Sequence, residues 1–523
     1  MLKNIVLTIL SATMLVAAFP PIDMEFLSWF GMAPFFLALN GKHTAVGKNI
    51  GTAAFKLNTR GFFLGLLWGI VFFLGTVYWV VNSMVNYGGI SLFISVLILI
   101  LLVAYLSIFP AVFGLIVLSM RTSLLAKILT ISSVWTALEY LRANMILGGF
   151  PWVLLGYSQS SFLPLIQITD ITGVYGVSFL IVAVNLLSSS TLLYWSGREE
   201  TMPLTEGLVV FIVLAGVLFY GFARVSHVDR VSARWNALKI GIAQGNIEQG
   251  EKWDASFQKE TVEIYKNLSL ALAKQGARLI IWPESAVPFY LQSEKELGHE
   301  IYNVPKESSA YLFTGADSYG LDPGGEVKYY NSAFLLSPGG EIVGKYDKIH
   351  LVPFGEYVPL KKYLPFIHKL VAGVGDFSSG KWLKPLAFDG NSFGVLICFE
   401  SIFPELARGF IKEGAGFLVN ITNDAWFGRA SAPYQHFSQA IFRAVENKAY
   451  LVRAANTGIS GVIDPVGRVK LKSGIFMRET LTVDVKIKDA QLFTFYSRYG
   501  DIFAIGCIAL FIGCWLLVVR RKK

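Results

Sequence analysis

Charge is what this chain has least of. Only 15% of its 523 residues are Asp, Glu, Lys or Arg, against about a quarter in an ordinary soluble domain. With 54% hydrophobic residues and a mean hydropathy of +0.53, that shortage excludes both a conventional soluble protein and a disordered one. Cysteine is nearly as scarce: Cys398, Cys507 and Cys514 are too few for a disulfide-stapled scaffold. Histidine numbers six, and neither His-Glu-x-x-His nor Cys-x-x-Cys occurs, so no metal is expected. Internal repeats and low-complexity tracts are lacking too. The net charge of +9 has no basic face concentrated in the polar part of the chain, which argues against nucleic acid as a partner.

The charge that exists is unevenly placed. Residues 1–228 hold 10 Lys/Arg and 7 Asp/Glu, residues 229–495 hold 30 and 28, and residues 496–523 hold 5 and 1. A charge-poor block and a short basic tail thus flank a normally charged middle. Eight apolar runs, at about 4–21, 25–40, 61–82, 90–119, 124–141, 172–195, 206–224 and 499–519, are long enough, or nearly so, to cross ~30 Å of hydrocarbon as helices. The second is short and carries Gly31 and Pro34. Lys3 before the first run imitates a signal peptide, but Pro20-Pro21 and an immediate second run suit an uncleaved anchor better.

Loop charge then orients the spans. Lys42, Lys48, Lys56 and Arg60 lie in loop 41–60; Arg121, Lys127 and Arg198 fall in later loops of the same parity, and the chain ends Arg520-Arg521-Lys522-Lys523. The opposite loops carry Asp23 and Glu25, no charge in 83–89, and Arg142. The positive-inside bias places both termini in the cytoplasm and residues 229–495 on the outer face, the periplasm in a bacterium. Three segments follow: 1–228 with seven membrane helices, 229–495 as an exported domain, and 496–523 with the eighth helix and its tail.

The exported domain alternates strands and helices. Leu238–Ala243 and Arg278–Trp282 read as strands, and 254–275 as a helix stopped at Gly276. Ser337-Pro338-Gly339-Gly340 turns one hairpin and Asp464-Pro465-Val466-Gly467 another. Phe393–Cys398 and Phe417–Ile421 are further strands, with helices near 402–413 and 434–448. This pattern predicts an α/β layered domain of ample size for its own core. The loop 356–381 mixes Tyr357, Tyr363, Phe366 and Leu370 with Lys361, Lys362 and Lys369; it either dips into the lipid headgroups or packs on the core.

Cys507 and Cys514 sit seven residues apart in the last apolar run and read as packing residues, which leaves Cys398 the one thiol of the exported domain. A free cysteine is usually a small buried hydrophobe. Its position at the end of an apolar strand is nevertheless where α/β sheets present reactive groups. A thiol nucleophile needs a base or a positive field, and no histidine lies in a familiar Cys–His signature. Carboxylates and lysine remain: Glu284 follows a buried strand in Trp282-Pro283-Glu284-Ser285, where burial suits a general base. Lys348 and Glu356 bracket Lys348-Ile349-His350-Leu351-Val352-Pro353-Phe354-Gly355-Glu356. Taken singly, each has a bland reading as a solvated surface charge.

Taken together, these segments resemble the nitrilase (carbon–nitrogen hydrolase) superfamily, marked by a Glu, a Lys and a Cys in that order, and within it the membrane-bound apolipoprotein N-acyltransferase branch. Trp282-Pro283-Glu284, Lys348 with Leu351–Glu356, and Cys398-Phe399-Glu400 carry the resemblance. So do Gly149-Phe150-Pro151-Trp152, Gly156-Tyr157-Ser158-Gln159, Gln244-Gly245-Asn246 with Lys252-Trp253, Asn423–Gly428, Gln435-His436 and Arg453–Gly458. The resemblance implies an αββα sandwich over a helical membrane domain. It also implies transfer of an acyl chain from a phospholipid to the α-amine of a diacylglyceryl-cysteine at an apolipoprotein N-terminus, through a thioester, without a cofactor and as a monomer in the bacterial inner membrane. Position by position it makes Cys398 the nucleophile, Glu284 the base and Lys348 the electrophilic stabiliser. Glu356, Glu400 and Trp253 fall on further positions the family needs, and Phe399 stands where the family often has Tyr. The rival reading is a membrane-anchored amidase or nitrilase-type hydrolase that passes the acyl group to water; a transporter would carry more ionisable residues in its spans than Glu139 and Asp170.

Overall fold

The computed structural model describes residues 1–40, 59–120, 122–145, 148–248, 250, 255–294, 296–357, 377–489 and 493–520. Lys42, Lys48, Lys56, Arg121, Lys252, Trp253, the stretch 358–376 with most of the apolar, basic loop, and the last three residues lie outside them. The chain forms two compact units: Met1–Tyr78, Phe93–Arg224 and Tyr499–Lys523 make the first, and Trp79–Leu92 with Val225–Arg498 the second.

The first unit is helical. Five helices, Thr59–Val77, Leu92–Ser119, Leu124–Asn144, Val174–Trp195 and Leu204–Ser232, are long and apolar enough to cross a membrane. The other three expected runs form the apolar helices Leu2–Ala17, Glu25–Leu39 and Ile502–Arg520; the first two are shorter than a full crossing, so among the described residues the expected count of eight is not established. The second of these is broken, with separate helices at Ser28–Gly31 and Ala33–Leu39. The break is tolerated because Asn185 Oδ1 accepts from the Met32 and Ala33 backbone N–H groups at 2.8 and 3.0 Å, replacing water that hydrocarbon cannot provide. Gly61, Gly65 and Gly69 form a small-residue stripe on one helix. A Cβ at Gly65 would stand 2.1 Å from the Pro110 carbonyl oxygen of Leu92–Ser119, so the two backbones touch as close-packed membrane helices do. Arg142 is not the loop charge expected from the sequence. The helix runs on to Asn144, and the buried guanidinium donates to the Phe150 and Trp152 carbonyls of the irregular segment that follows. Cys507 is buried, and Cys514 accepts from Thr130 at 3.7 Å.

The second unit stacks two six-stranded sheets. Its strands are β1 (Asn236–Gln244), β2 (Leu279–Ile281), β3 (Tyr311–Leu321), β4 (Val327–Leu336), β5 (Ile342–Asp347), β6 (Leu386–Phe388), β7 (Asn391–Ile397), β8 (Phe417–Thr422), β9 (Leu451–Ala455), β10 (Gly461–Ile463), β11 (Val469–Lys472) and β12 (Glu479–Ile487). One sheet runs β12-β1-β2-β3-β4-β5 and the other β11-β10-β9-β8-β7-β6. Phe313 of β3 meets Phe393 of β7 edge-on at 5.0 Å between centroids, which seals the sheets face to face. Helices cover the outer sides: Leu272 of Ala255–Lys274 lies over Gly241 of β1, and Phe410 of Pro404–Lys412 over Gly394 of β7. The first helix stops at Gly276 (φ +85°), as its sequence predicts. Both expected hairpins form, as β4–β5 and β10–β11. Strands β1, β2 and β3 are parallel, and so are β7, β8 and β9; the carboxyl ends of β2, β7 and β8 lead directly into Glu284, Cys398 and Asn423.

Candidate active site

Glu284 is carried past the end of β2 by a rigid neck. Trp282 is fully buried, stacks on Tyr265 at 4.9 Å and donates its indole N–H to Ser269 at 2.8 Å. Gly315 then lets β3 pass under Glu284: a Cβ there would fall 2.5 Å from the Ser285 nitrogen and 2.7 Å from the Glu284 Cα. The buried carboxylate accepts from Asn331 Nδ2 at Oε1 and from the Asn423 backbone N–H at Oε2, both at 2.8 Å.

Lys348 follows β5, its backbone N–H bound to the Asn331 carbonyl at 2.8 Å. The side chain is 1% exposed and its Nζ lies 2.9 Å from Glu356 Oε1 and 3.6 Å from Glu284 Oε1. Burial pulls this ammonium toward neutrality, but the carboxylates of Glu356 and Glu284 outweigh it and hold the pKa above the ordinary lysine value. Glu356 is fixed in turn by Asn331 Nδ2 at 2.8 Å and by the Val352 N–H at 2.8 Å. One asparagine amide therefore ties together both acids that flank the lysine.

Cys398, the residue after β7, is in the left-handed region (φ +52°), a conformation that costs a non-glycine residue on the order of 1–3 kcal/mol and persists only where its surroundings impose it. Here they do. Its carbonyl accepts from His436 Nε2 at 3.1 Å and Asn420 Nδ2 at 3.4 Å, and Glu400, two residues on, accepts from the Ile397 N–H at 2.7 Å. His436 Nδ1 lies between Arg453 Nη2 at 2.9 Å and Asp424 Oδ1 at 3.2 Å, which fixes the ring's position beside that carbonyl. Burial, reinforced by Arg453, lowers the His436 pKa. The Cys398 thiol is pushed well above its ordinary range: burial comes first and the Glu284 charge adds to it, while Lys348 opposes. The sulfur is thus in electrostatic contact with both Glu284 and Lys348.

Glu400 does not face this cluster as a free acid. Its Oε1 accepts from Tyr346 OH and from the Ile349 and His350 N–H groups at 2.9, 2.7 and 3.1 Å, so it locks the Lys348 segment to the Cys398 turn. Burial lifts its carboxyl to about 7 against the pull of the Ile397 N–H and Lys348. Phe399 packs edge-on to Phe403 at 5.1 Å, and its backbone follows the thiol directly. Trp253 lies outside the described residues. Asn331, Asn423, Asp424 and Arg453 take positions that composition and spacing did not single out; the only signal for Asn331 was a lone amide in the β4 segment Tyr329-Tyr330-Asn331-Ser332. Among the described residues, no group of three or more His, Cys, Asp or Glu could hold a metal ion.

A two-sheet αββα sandwich with Glu, Lys and Cys gathered at its strand ends is the architecture of the carbon–nitrogen hydrolases, and the family model for that domain matches residues 239–494. The model for the apolipoprotein N-acyltransferase N-terminal domain matches residues 11–187. Apolipoprotein N-acyltransferase of Geobacter metallireducens is 42% identical over 523 residues, covering 100% of this chain and 96% of that relative. The same enzyme of Methylococcus capsulatus is 34% identical over 468 residues, 87% and 88% of the two chains. An amidase from Nesterenkonia sp. is a solved structure to which the chain is similar at 20% identity and a TM-score of 0.37, over 49% of this chain and 94% of that one. The chain belongs to the apolipoprotein N-acyltransferase family. It is an acyltransferase of the bacterial inner membrane with lipid and lipoprotein substrates.

Proposed function

We propose that Cys398 is the nucleophile, Glu284 the general base and Lys348 the oxyanion stabiliser of a two-step acyl transfer from a membrane phospholipid to a diacylglyceryl-apolipoprotein. The observation that carries the proposal is the buried Lys348 ammonium set between Glu284 and Glu356 in electrostatic contact with the Cys398 sulfur. In the first step Glu284 takes the thiol proton as sulfur attacks the ester carbonyl. Negative charge develops on the carbonyl oxygen, where Lys348 and the Phe399 N–H stabilise it; one such donor is typically worth about 3 kcal/mol. The C–O bond breaks, the departing lysophospholipid oxygen takes the proton from Glu284, and a thioester remains. In the second step the lipoprotein α-amine attacks the thioester, Glu284 accepts its proton, and sulfur leaves as the thiol. The raised thiol pKa supports this order, because deprotonation then belongs to the attack rather than to the resting enzyme.

Glu400 serves as the tie between the Lys348 and Cys398 segments, and Glu356 as the acid that keeps Lys348 charged. Trp253 belongs to the substrate-binding side by family resemblance. Both termini face the cytoplasm and residues 229–495 the periplasm, supported by the basic residues Arg60, Lys127 and Arg198 in loops of one parity. The three remaining apolar helices bring the crossings to eight, and the enzyme acts as a monomer without cofactor or nucleic acid. Purified protein incubated with an alkyne-tagged phospholipid should form a hydroxylamine-sensitive adduct at Cys398 and then an amide-linked lipoprotein. Labelling that survives Cys398→Ala would overturn the proposal, and release of free fatty acid in the presence of acceptor would favour a hydrolase.

A further inference from the structure

A short helix that lies in sequence between two membrane-crossing helices belongs to the catalytic unit. Residues Trp79–Leu92 cluster with Val225–Arg498, and the helix Val80–Asn86 packs on the single turn Asp424–Phe427. The contact is polar at its centre: Ser83 Oγ and Asn82 Nδ2 both donate to the Trp426 carbonyl, at 2.8 and 3.1 Å. Aromatic rings close its sides, Trp79 on Phe427 at 4.8 Å and Tyr87 on Trp426 at 5.3 Å. Gly428, the residue after the turn, has φ +60°, and a Cβ there would meet the Asn82 amide at 3.0 Å.

The far side of the same turn touches the reaction centre twice. Asn423, immediately before it, gives its backbone N–H to Glu284 Oε2 at 2.8 Å. Phe427, its last residue, lies edge-on to His436 at 6.4 Å, and His436 holds the Cys398 carbonyl at 3.1 Å. Four residues separated from any long helix have little stiffness of their own, and a carbonyl that loses two donors draws the turn toward water. We propose that Asn82, Ser83 and Trp79 form a clasp that positions Asn423 and His436, and through them Glu284 and Cys398. The clasp sets the rate of acyl transfer to sulfur rather than affinity for the lipid donor. This rests on Glu284 and Cys398 having the roles proposed above. Asn82, Ser83 and Trp79 are positioning residues, since none of them touches the reacting atoms.

The test uses the full-length enzyme in mixed micelles with alkyne-tagged phospholipid, and reads hydroxylamine-sensitive labelling of Cys398 against lipid concentration. The double variant Asn82→Ala/Ser83→Ala should lower the saturating rate about tenfold, a tenth of what a misplacement of roughly 1 Å can cost, with half-saturation held within twofold. Ser83→Thr, which keeps the hydroxyl, should label at the wild-type rate. If thermal unfolding reveals that the double variant does not fold, Ser83→Ala alone is read, with a threefold fall expected. An unchanged saturating rate, a raised half-saturation at unchanged rate, or failure of Ser83→Thr alongside the alanine variants would each overturn the clasp. Failure of the underlying roles is separately visible, because label would then persist in Cys398→Ala whatever the clasp variants do.

Discussion

Replacing Asn331 by Leu removes one amide and leaves the shape of β4 nearly unchanged. That amide donates at 2.8 Å to Glu284 and at 2.8 Å to Glu356, and its oxygen has no hydrogen-bond partner among the described residues. The orientation is thus dictated by the two carboxylates. Hydrogen bonds to charged groups contribute about 1.5–3 kcal/mol each. Losing both weakens the arrangement in the ground state as well as in the transition state, so only part of the sum reaches the rate. The portion that does is the aim of Glu284 at the thiol. One such bond lost there, about 2.7 kcal/mol, corresponds to roughly a 100-fold fall in the acylation rate constant. The assay is single-turnover labelling of Cys398 by tagged phospholipid, with the fold checked by thermal unfolding. Asn331→Asp should be worse than Asn331→Leu, since it sets a third carboxylate against two others around one lysine. A Leu variant that labels within threefold of wild type would refute the reasoning, because Glu284 would then be placed well enough by Asn423 and Lys348 alone.

Two further outcomes follow from the same geometry. The Cys398 pKa is raised, so the thiolate is the minor form at neutral pH and its fraction grows as pH increases. Alkylation of the Cys398 peptide by iodoacetamide, followed by mass spectrometry, should accelerate about tenfold per pH unit from 7 to 9; a plateau below pH 8 would mean that Lys348 wins over burial. Gly315→Ala drives a methyl group to within 2.5 Å of the Ser285 nitrogen. It should cost about 1–3 kcal/mol of stability by overpacking and more than tenfold in labelling rate, measured by thermal unfolding and by the same assay. Wild-type labelling in that variant would show that the Glu284 neck tolerates displacement.

What the sequence made legible, and what it did not, divides along the range of the interactions. Glu284 and Cys398 could be read because each follows a run of apolar residues that announces a buried strand, and a polar residue just beyond such a run stands at a sheet edge. Asn331 could not. It lies within a strand of mixed aromatic and polar character, and its importance comes from two acids 47 positions before it and 25 after it. The break within Glu25–Leu39 was hidden for a similar reason: apolar composition does not record where a distant Asn185 supplies the hydrogen bonds that permit it. Arg142 was read as a loop charge because a cation after an apolar run ordinarily marks the membrane edge, whereas here the carbonyls of 150–153 give it a buried partner set.

The same division bears on the chemistry. The strained Cys398 backbone is held by His436, which Arg453 in the middle of β9 contacts in turn, while Glu400 fastens the segment carrying Lys348 to the turn that carries the sulfur. Of these ties only Glu400 is local to the reactive three, two residues after Cys398; His436 and Arg453 come from distant parts of the chain. The three groups proposed to react lie on three separate segments and have no intrinsic reason to stay in register through the proposed attack, which moves a proton and builds an oxyanion. Their geometry is maintained because buried amides, an imidazole and a carboxylate each bridge two segments. Substitutions in those bridging residues should therefore slow transfer while leaving all three reacting side chains intact.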